Sequence, residues 1–153
     1  SKLYKLKNYS VPKVYKENAK KNYSNFVKAN QNKLIKSAIS VGIGGLAVAL
    51  SKMSISSEKG LELNFTNVNK INDKTDNNHI LFSESQSRII VTVESSKKKC
   101  FENYFNKNQL SLVGKVIKSK KIIFKMNNKD QFEIDINSLN KSYKKELYSW
   151  WKL

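Results

Sequence analysis

The 153 residues, 39% of them hydrophobic and spread along the chain, are enough for one compact domain with a core and too apolar for a disordered segment. The formal net charge of +17 comes almost wholly from lysine, with Arg88 the single arginine; that favours a solvated basic surface over a reader of nucleic acid bases, which leans on arginine. Cys100 is the single cysteine and His79 the single histidine, which excludes an internal disulfide and a zinc site built from Cys and His.

Ser1 to Ser10 is polar and lysine-rich and is expected to be a linker from a preceding domain, with residues 11–153 forming one domain. The first residue is not Met, so the sequence is expected to start inside a longer protein or behind a removed tag. Pro12 marks an extended entry. Ala19, Tyr23, Phe26 and Val27, with Leu34 further on, recur at helical spacing. Lys36 to Val41 predicts a strand leading into glycines. Leu46, Ala49, Leu50 and Met53 then follow the i, i+3, i+4, i+7 rule of a second helix. Leu61 to Phe65 alternates apolar and polar residues, as a half-buried strand does. Asn67 to Asn78 is polar and without period and predicts a loop. Ile89 to Val93, β-branched throughout, predicts a strand. Cys100, Phe101, Tyr104 and Phe105 form a third helical stripe, with Ser95 or Ser96 as its cap and Cys100 as a small apolar member beside Phe101. Leu112 to Ile117 and Lys121 to Lys125 are expected to pair as a hairpin across Ser119, and Phe132 to Ile136 alternates as a last strand. Leu139, Tyr143, Leu147 and Trp150 line the final helix, capped by Asn137 or Ser138. Helices and strands interleave without a regular βαβ rhythm, which predicts the α+β class. No apolar run reaches the roughly 18 residues that span a bilayer, so no membrane partner is expected. A polar N-terminus without a secretory signal, and the lone cysteine, fit a cytoplasmic setting.

Two stretches carry candidate chemistry. Gly42-Ile43-Gly44-Gly45-Leu46-Ala47 satisfies G-x-G-x-x-A, with Glu62 about 20 residues on, and so admits a dinucleotide-binding reading. It equally admits close helix–sheet packing, or an anion held by free N–H groups at Gly44 and Gly45. Leu81-Phe82-Ser83-Glu84-Ser85-Gln86-Ser87-Arg88 is a dense polar cluster directly before a strand. It could face a ligand or a neighbouring domain, or hold a plain Glu84–Arg88 surface ion pair.

Together these stretches resemble the C-terminal domain of the phosphoribosylformylglycinamidine synthase family. That domain carries a segment like "AHDVSDGGLAVAL" and, later, one like "LFSESQSR". Here the first reads Ala38-Ile39-Ser40-Val41-Gly42-Ile43-Gly44-Gly45-Leu46-Ala47-Val48-Ala49-Leu50, and the second is intact at Leu81 to Arg88. Val11-Pro12-Lys13-Val14 resembles the entry to the domain's first helix, Val113-Gly114-Lys115-Val116 its "iGxV" strand, and Ile134 to Leu139 its last strand and the start of its last helix.

The resemblance implies an α+β domain like the C-terminal domain of aminoimidazole ribonucleotide synthetase, a mixed sheet covered by helices with ferredoxin-like connectivity. The Gly44–Leu50 and Leu81–Arg88 stretches would meet on that sheet. It implies part of a ligase of purine biosynthesis, in which formylglycinamide ribonucleotide becomes its amidine using ATP, Mg²⁺ and ammonia from glutamine. The fragment would be architectural, inactive alone, and without a bound cofactor or metal of its own. Its partners would be the preceding domains of the same chain, a glutaminase subunit and a small bridging subunit, as in the small form of the enzyme. By internal symmetry, Glu84, Ser85 and Gln86 correspond to a substrate-binding triplet in the other half of that enzyme. The sequence departs from the pattern at the family's "HD" and "SD" positions, which are Ile39-Ser40 and Gly42-Ile43 here. The rival readings are a fold-sharing synthetase or kinase domain, such as selenophosphate synthetase or thiamine-phosphate kinase, and a basic nucleic-acid-binding module.

Overall fold

The computed structural model describes residues 14–66, 77–126 and 130–150. The expected lead-in at 1–10, Pro12 and most of the expected loop at 67–78 lie outside them. Helix α1 spans Lys16–Gln31. It stops where Lys33 turns left-handed (φ 54°), with the Leu34 N–H reaching back to the Ala29 carbonyl and the Lys33 N–H to that of Asn30. This is the paired closure of a Schellman stop, here without a glycine. Leu34 is therefore outside the helix. The side of α1 that packs inward is also rotated from expectation: Ala19 and Ala29 are buried, whereas Tyr23 and Val27 are exposed.

Strand β1, Ile35–Ser40, pairs antiparallel with β3, Ile89–Val93, and the Ser37 and Thr92 hydroxyls meet across the ladder at 2.6 Å. Helix α2, Gly45–Ser57, follows β1 and leads into β2, Gly60–Asn64. Short helix α3, Asn77–Phe82, takes the end of the expected loop, and its Ile80 and Leu81 are buried. After β3, a 3-10 turn over Ser95–Lys97 leads into α4, Lys98–Glu102. The expected serine caps lie inside that turn, and Glu94 precedes it. Phe101 is buried, but Cys100 is exposed and takes no part in the core.

Strands β4, Gly114–Ile117, and β5, Lys121–Met126, are where expected but do not form a hairpin. The four-stranded order is β4-β2-β5-β6, with β6 at Asp130–Asp135. β2 lies between the two expected partners, antiparallel to β4 and parallel to β5. The short link at 118–120 passes over the start of β2 at Gly60, where a side chain would meet the Ser119 and Lys121 carbonyl oxygens. Helix α5, Ile136–Trp150, begins on Asp135, whose carboxylate accepts from the Ser138 N–H at 3.0 Å. Asp135 is thus the cap, ahead of both Asn137 and Ser138.

Alternation sorts β2 cleanly. Leu61, Leu63 and Phe65 face inward with Ile122 and Phe124 of β5, each burial worth about 1.5–3 kcal/mol. Glu62 faces out between Lys125 at 2.9 Å and Lys115 at 3.2 Å. Its carboxyl is held below the ordinary range, chiefly by the Lys125 hydrogen bond and then by Lys115. Leu46, Ala49 and Leu50 of α2 join the same cluster, with Val41, Ile80, Leu81, Ile90 and Ile136. The α+β class and the mixed sheet are as expected. The strands, however, divide into a two-stranded ladder and a four-stranded sheet, and α2 joins one core that draws on both.

Candidate functional site

Gly44 and Gly45 open α2 with left-handed backbones, φ 83° and 67°, which residues with side chains adopt only with strain. A Cβ at Gly45 would lie 2.6 Å from the Leu81 carbonyl oxygen and 2.8 Å from Phe82 backbone atoms. The glycine therefore permits the start of α2 to touch the end of α3. The two motif stretches, about 40 residues apart in sequence, meet at this point.

The contact is also polar. The Gly44 N–H donates to Glu84 Oε1 at 2.9 Å, and the Gly45 N–H donates to the Gly42 carbonyl at 3.0 Å. The Val41 N–H donates to the Arg88 carbonyl at 2.9 Å, tying the other end of the 83–88 segment to the end of β1. A carboxylate at the N-terminus of a helix is favoured by the aligned peptide dipoles as well as by the hydrogen bond.

Glu84 and Arg88 do not form the ion pair that their spacing allows. The segment is a turn, with Ser87 left-handed at φ 66°, so residues four apart do not stack as they would on a helix. Arg88 instead donates through Nη2 to the Ser83 carbonyl and through Nε to the Ser85 carbonyl at 3.3 Å. Its guanidinium is half-buried, and desolvation lowers its pKa from the ordinary value. Ser85 is partly buried, and Glu84 and Gln86 are exposed.

The expected triplet and the expected glycines thus form one cluster. The Gly44 and Gly45 N–H groups are both used within the chain, so an external anion there would have to displace Glu84 or the Gly42 carbonyl. Among the described residues, no three of His, Cys, Asp and Glu gather as a metal-binding group. Sequence reasoning missed the role of Arg88. The available signal was its being the single arginine in a chain of lysines, since a guanidinium holds its donors in a fixed planar fork and an ammonium does not.

The dinucleotide reading does not survive the topology. β1 pairs antiparallel with β3 and β2 lies in the other sheet, so β1-α2-β2 is not the parallel unit that fold requires. Glu62, its expected acidic partner, is held between two lysines on the outer face.

The start of α2 and the polar 83–88 loop are locked together beside the antiparallel β1–β3 ladder, in an α+β domain whose second sheet is mixed. The chain belongs to the family described as AIR synthase related protein, C-terminal domain, which it matches over residues 2–127. Within it, the chain is similar to phosphoribosylformylglycinamidine synthase subunit PurL. It is 36% identical to the Methanocaldococcus jannaschii subunit over 134 residues, covering 87% of this chain and 18% of that one. It is 31% identical to the Thermococcus sibiricus subunit over 133 residues, with the same coverage. Among solved structures, Thermotoga maritima PurL complexed with FGAR superposes with a TM-score of 0.72 at 23% identity, covering 79% of this chain and 20% of that one. The same protein complexed with ATP gives 0.69 at 24% identity, covering 76% and 20%. These likenesses show the fold. The resemblance read from the two motifs is borne out, and the chain spans less than a fifth of the length of these curated relatives.

Proposed function

We propose that this chain is the C-terminal domain of an ATP-dependent carbon–nitrogen ligase that converts formylglycinamide ribonucleotide to its amidine in purine biosynthesis, and that its own part is architectural. The observation that carries this reading is the joining of the GGLAVAL helix start to the LFSESQSR loop through Gly44, Gly45 and Glu84. Its support is the similarity to PurL subunits along 87% of the chain. The T. maritima neighbours include complexes with ATP, ADP and FGAR and an assembly described as PurLQS. By analogy, the whole ligase takes ATP, Mg²⁺ and the ribonucleotide, and receives ammonia from a glutaminase subunit held by a small bridging subunit in the cytoplasm. Residues 11–153 form the domain and residues 1–10 lead into it.

In this reading ATP and Mg²⁺ are held by parts of the ligase beyond this chain. What this chain supplies is a rigid wall: α2 and the 83–88 loop fixed to each other, with Ser85 and Gln86 available to the ribonucleotide and Glu84 spent on holding the loop. The test is a chimera in which this chain replaces the C-terminal domain of T. maritima PurL. The chimera should form amidine when supplied with ATP, the ribonucleotide and ammonia, whereas the 153-residue chain alone should form none. A folded chimera without activity, or an active isolated chain, would sink the proposal.

A further inference from the structure

We propose that Arg88 is a positioning residue that sets the shape of the 83–87 loop, and that through this shape it places the Glu84 carboxylate on the Gly44 N–H. The guanidinium reaches two carbonyls of its own loop, those of Ser83 and Ser85, which flank Glu84 on either side. Two directed donors on carbonyls either side of one residue fix the bend between them; a single point charge fixes only a distance. The bend brings Glu84 to Gly44, while the Arg88 carbonyl holds Val41 at the end of β1. The loop is thereby fastened at both flanks of the Gly42–Gly44 turn. Arg88 is half-buried, so donors left without carbonyls there would be costly, and the closed loop gives Nε and Nη2 their partners.

The three parts depend on one another in a stated order. Arg88 shapes the loop, the loop aims Glu84, and Glu84 occupies the N–H of Gly44, the residue that caps α2. Lysine in place of Arg88 keeps the charge and loses the fork. The clasp is a property of this chain alone; only its consequence, an ordered presentation of Ser85 and Gln86 to a ribonucleotide, rests on the ligase reading. The two therefore fail separately: the chimera tests the ligase, and amide exchange in the 153-residue chain tests the clasp.

Hydrogen exchange would be followed residue by residue by NMR in the unaltered chain, in Arg88→Lys and in Glu84→Ala. Both variants should speed exchange of the Gly44 amide by about tenfold or more, the loss expected for one charge-assisted hydrogen bond. Amides of Leu63 and Phe124 in the core should keep their rates. In Arg88→Ala, guanidinium ion at concentrations too low to unfold the chain should restore part of the Gly44 protection, and urea at equal concentration should not. In the unaltered chain, the Arg88 Nε–H should exchange more slowly than that of a free guanidinium, a signature that needs no variant. Gly44 exchange unchanged in Arg88→Lys, or equal acceleration at Gly44 and in the core, would overturn the proposal. So would an Arg88 Nε–H exchanging at the free rate.

Discussion

A Cβ on Gly60 would lie 2.0 Å from the Ser119 carbonyl oxygen and 2.4 Å from that of Lys121. Both are backbone atoms, so no rotamer change relieves the clash, and the link crossing the start of β2 would have to lift away. Gly42, by contrast, has nothing within 4 Å of the same imagined atom. Gly60→Ala should therefore cost more than about 3 kcal/mol, with Gly42→Ala within about 0.5 kcal/mol of the unaltered chain. Urea unfolding midpoints of the two variants check this directly; equal midpoints would mean that the crossing link is not where the structure has it. Gly44 and Gly45 differ in kind. Their constraint is left-handed backbone as well as space, and at Gly45 the space is taken by the α3 backbone.

At the scale of elements, what begins and ends each one is local chemistry, but it is not always the residue that periodicity nominates. α5 starts on the last residue of β6: Asp135 receives the Ser138 N–H, and the Ser138 hydroxyl lies 3.4 Å from the same oxygen. A carboxylate cap satisfies an orphan donor and sits well in the dipole field. Asp135→Ala should lower stability by about 1 kcal/mol, and Asn137→Ala should change it little, as read by chemical denaturation. If Asn137→Ala were the costlier of the two, the assigned cap would be wrong. At the other end of a helix, α2 finishes on Glu58 in a left-handed turn (φ 53°), and the buried Ser54 hydroxyl donates to the Lys59 carbonyl at 2.6 Å. That bond keeps the buried polar group paired and brings the chain around into β2.

At the scale of the molecule, one helix serves two sheets. Leu46, Ala49 and Leu50 of α2 belong to a cluster that also takes Ile90 from the β1–β3 ladder and Leu61, Leu63, Ile122 and Phe124 from the four-stranded sheet. A two-stranded ladder is marginal by itself and needs such a partner. Leu50, 3% exposed, should cost about 2–5 kcal/mol when cut to alanine. The loss should appear together in the amides of β1, β3, β2 and β5, measured by native-state hydrogen exchange. Weakening confined to one of the two strand groups would show that they are independent cores.

Much of this was legible in the sequence because it depends on near neighbours. The strand at Ile89–Val93, the alternation of Leu61 to Phe65 and the i, i+3, i+4, i+7 stripe of α2 are local periodicities, and local backbone geometry reads them the same way. The motif pair marked the family and set the Gly44–Leu50 and Leu81–Arg88 stretches beside each other, while the bond from the Gly44 N–H to Glu84 came from the structure. Three things were decided only in three dimensions. β2 inserts between β4 and β5, which a hairpin signal cannot anticipate because the intruding strand lies some 50 residues earlier. α1 turns Tyr23 and Val27 outward, because which part of an apolar stripe is buried depends on what packs against it. Arg88 bonds carbonyls rather than Glu84, because a turn, unlike a helix, separates residues four apart and points their side chains at different partners.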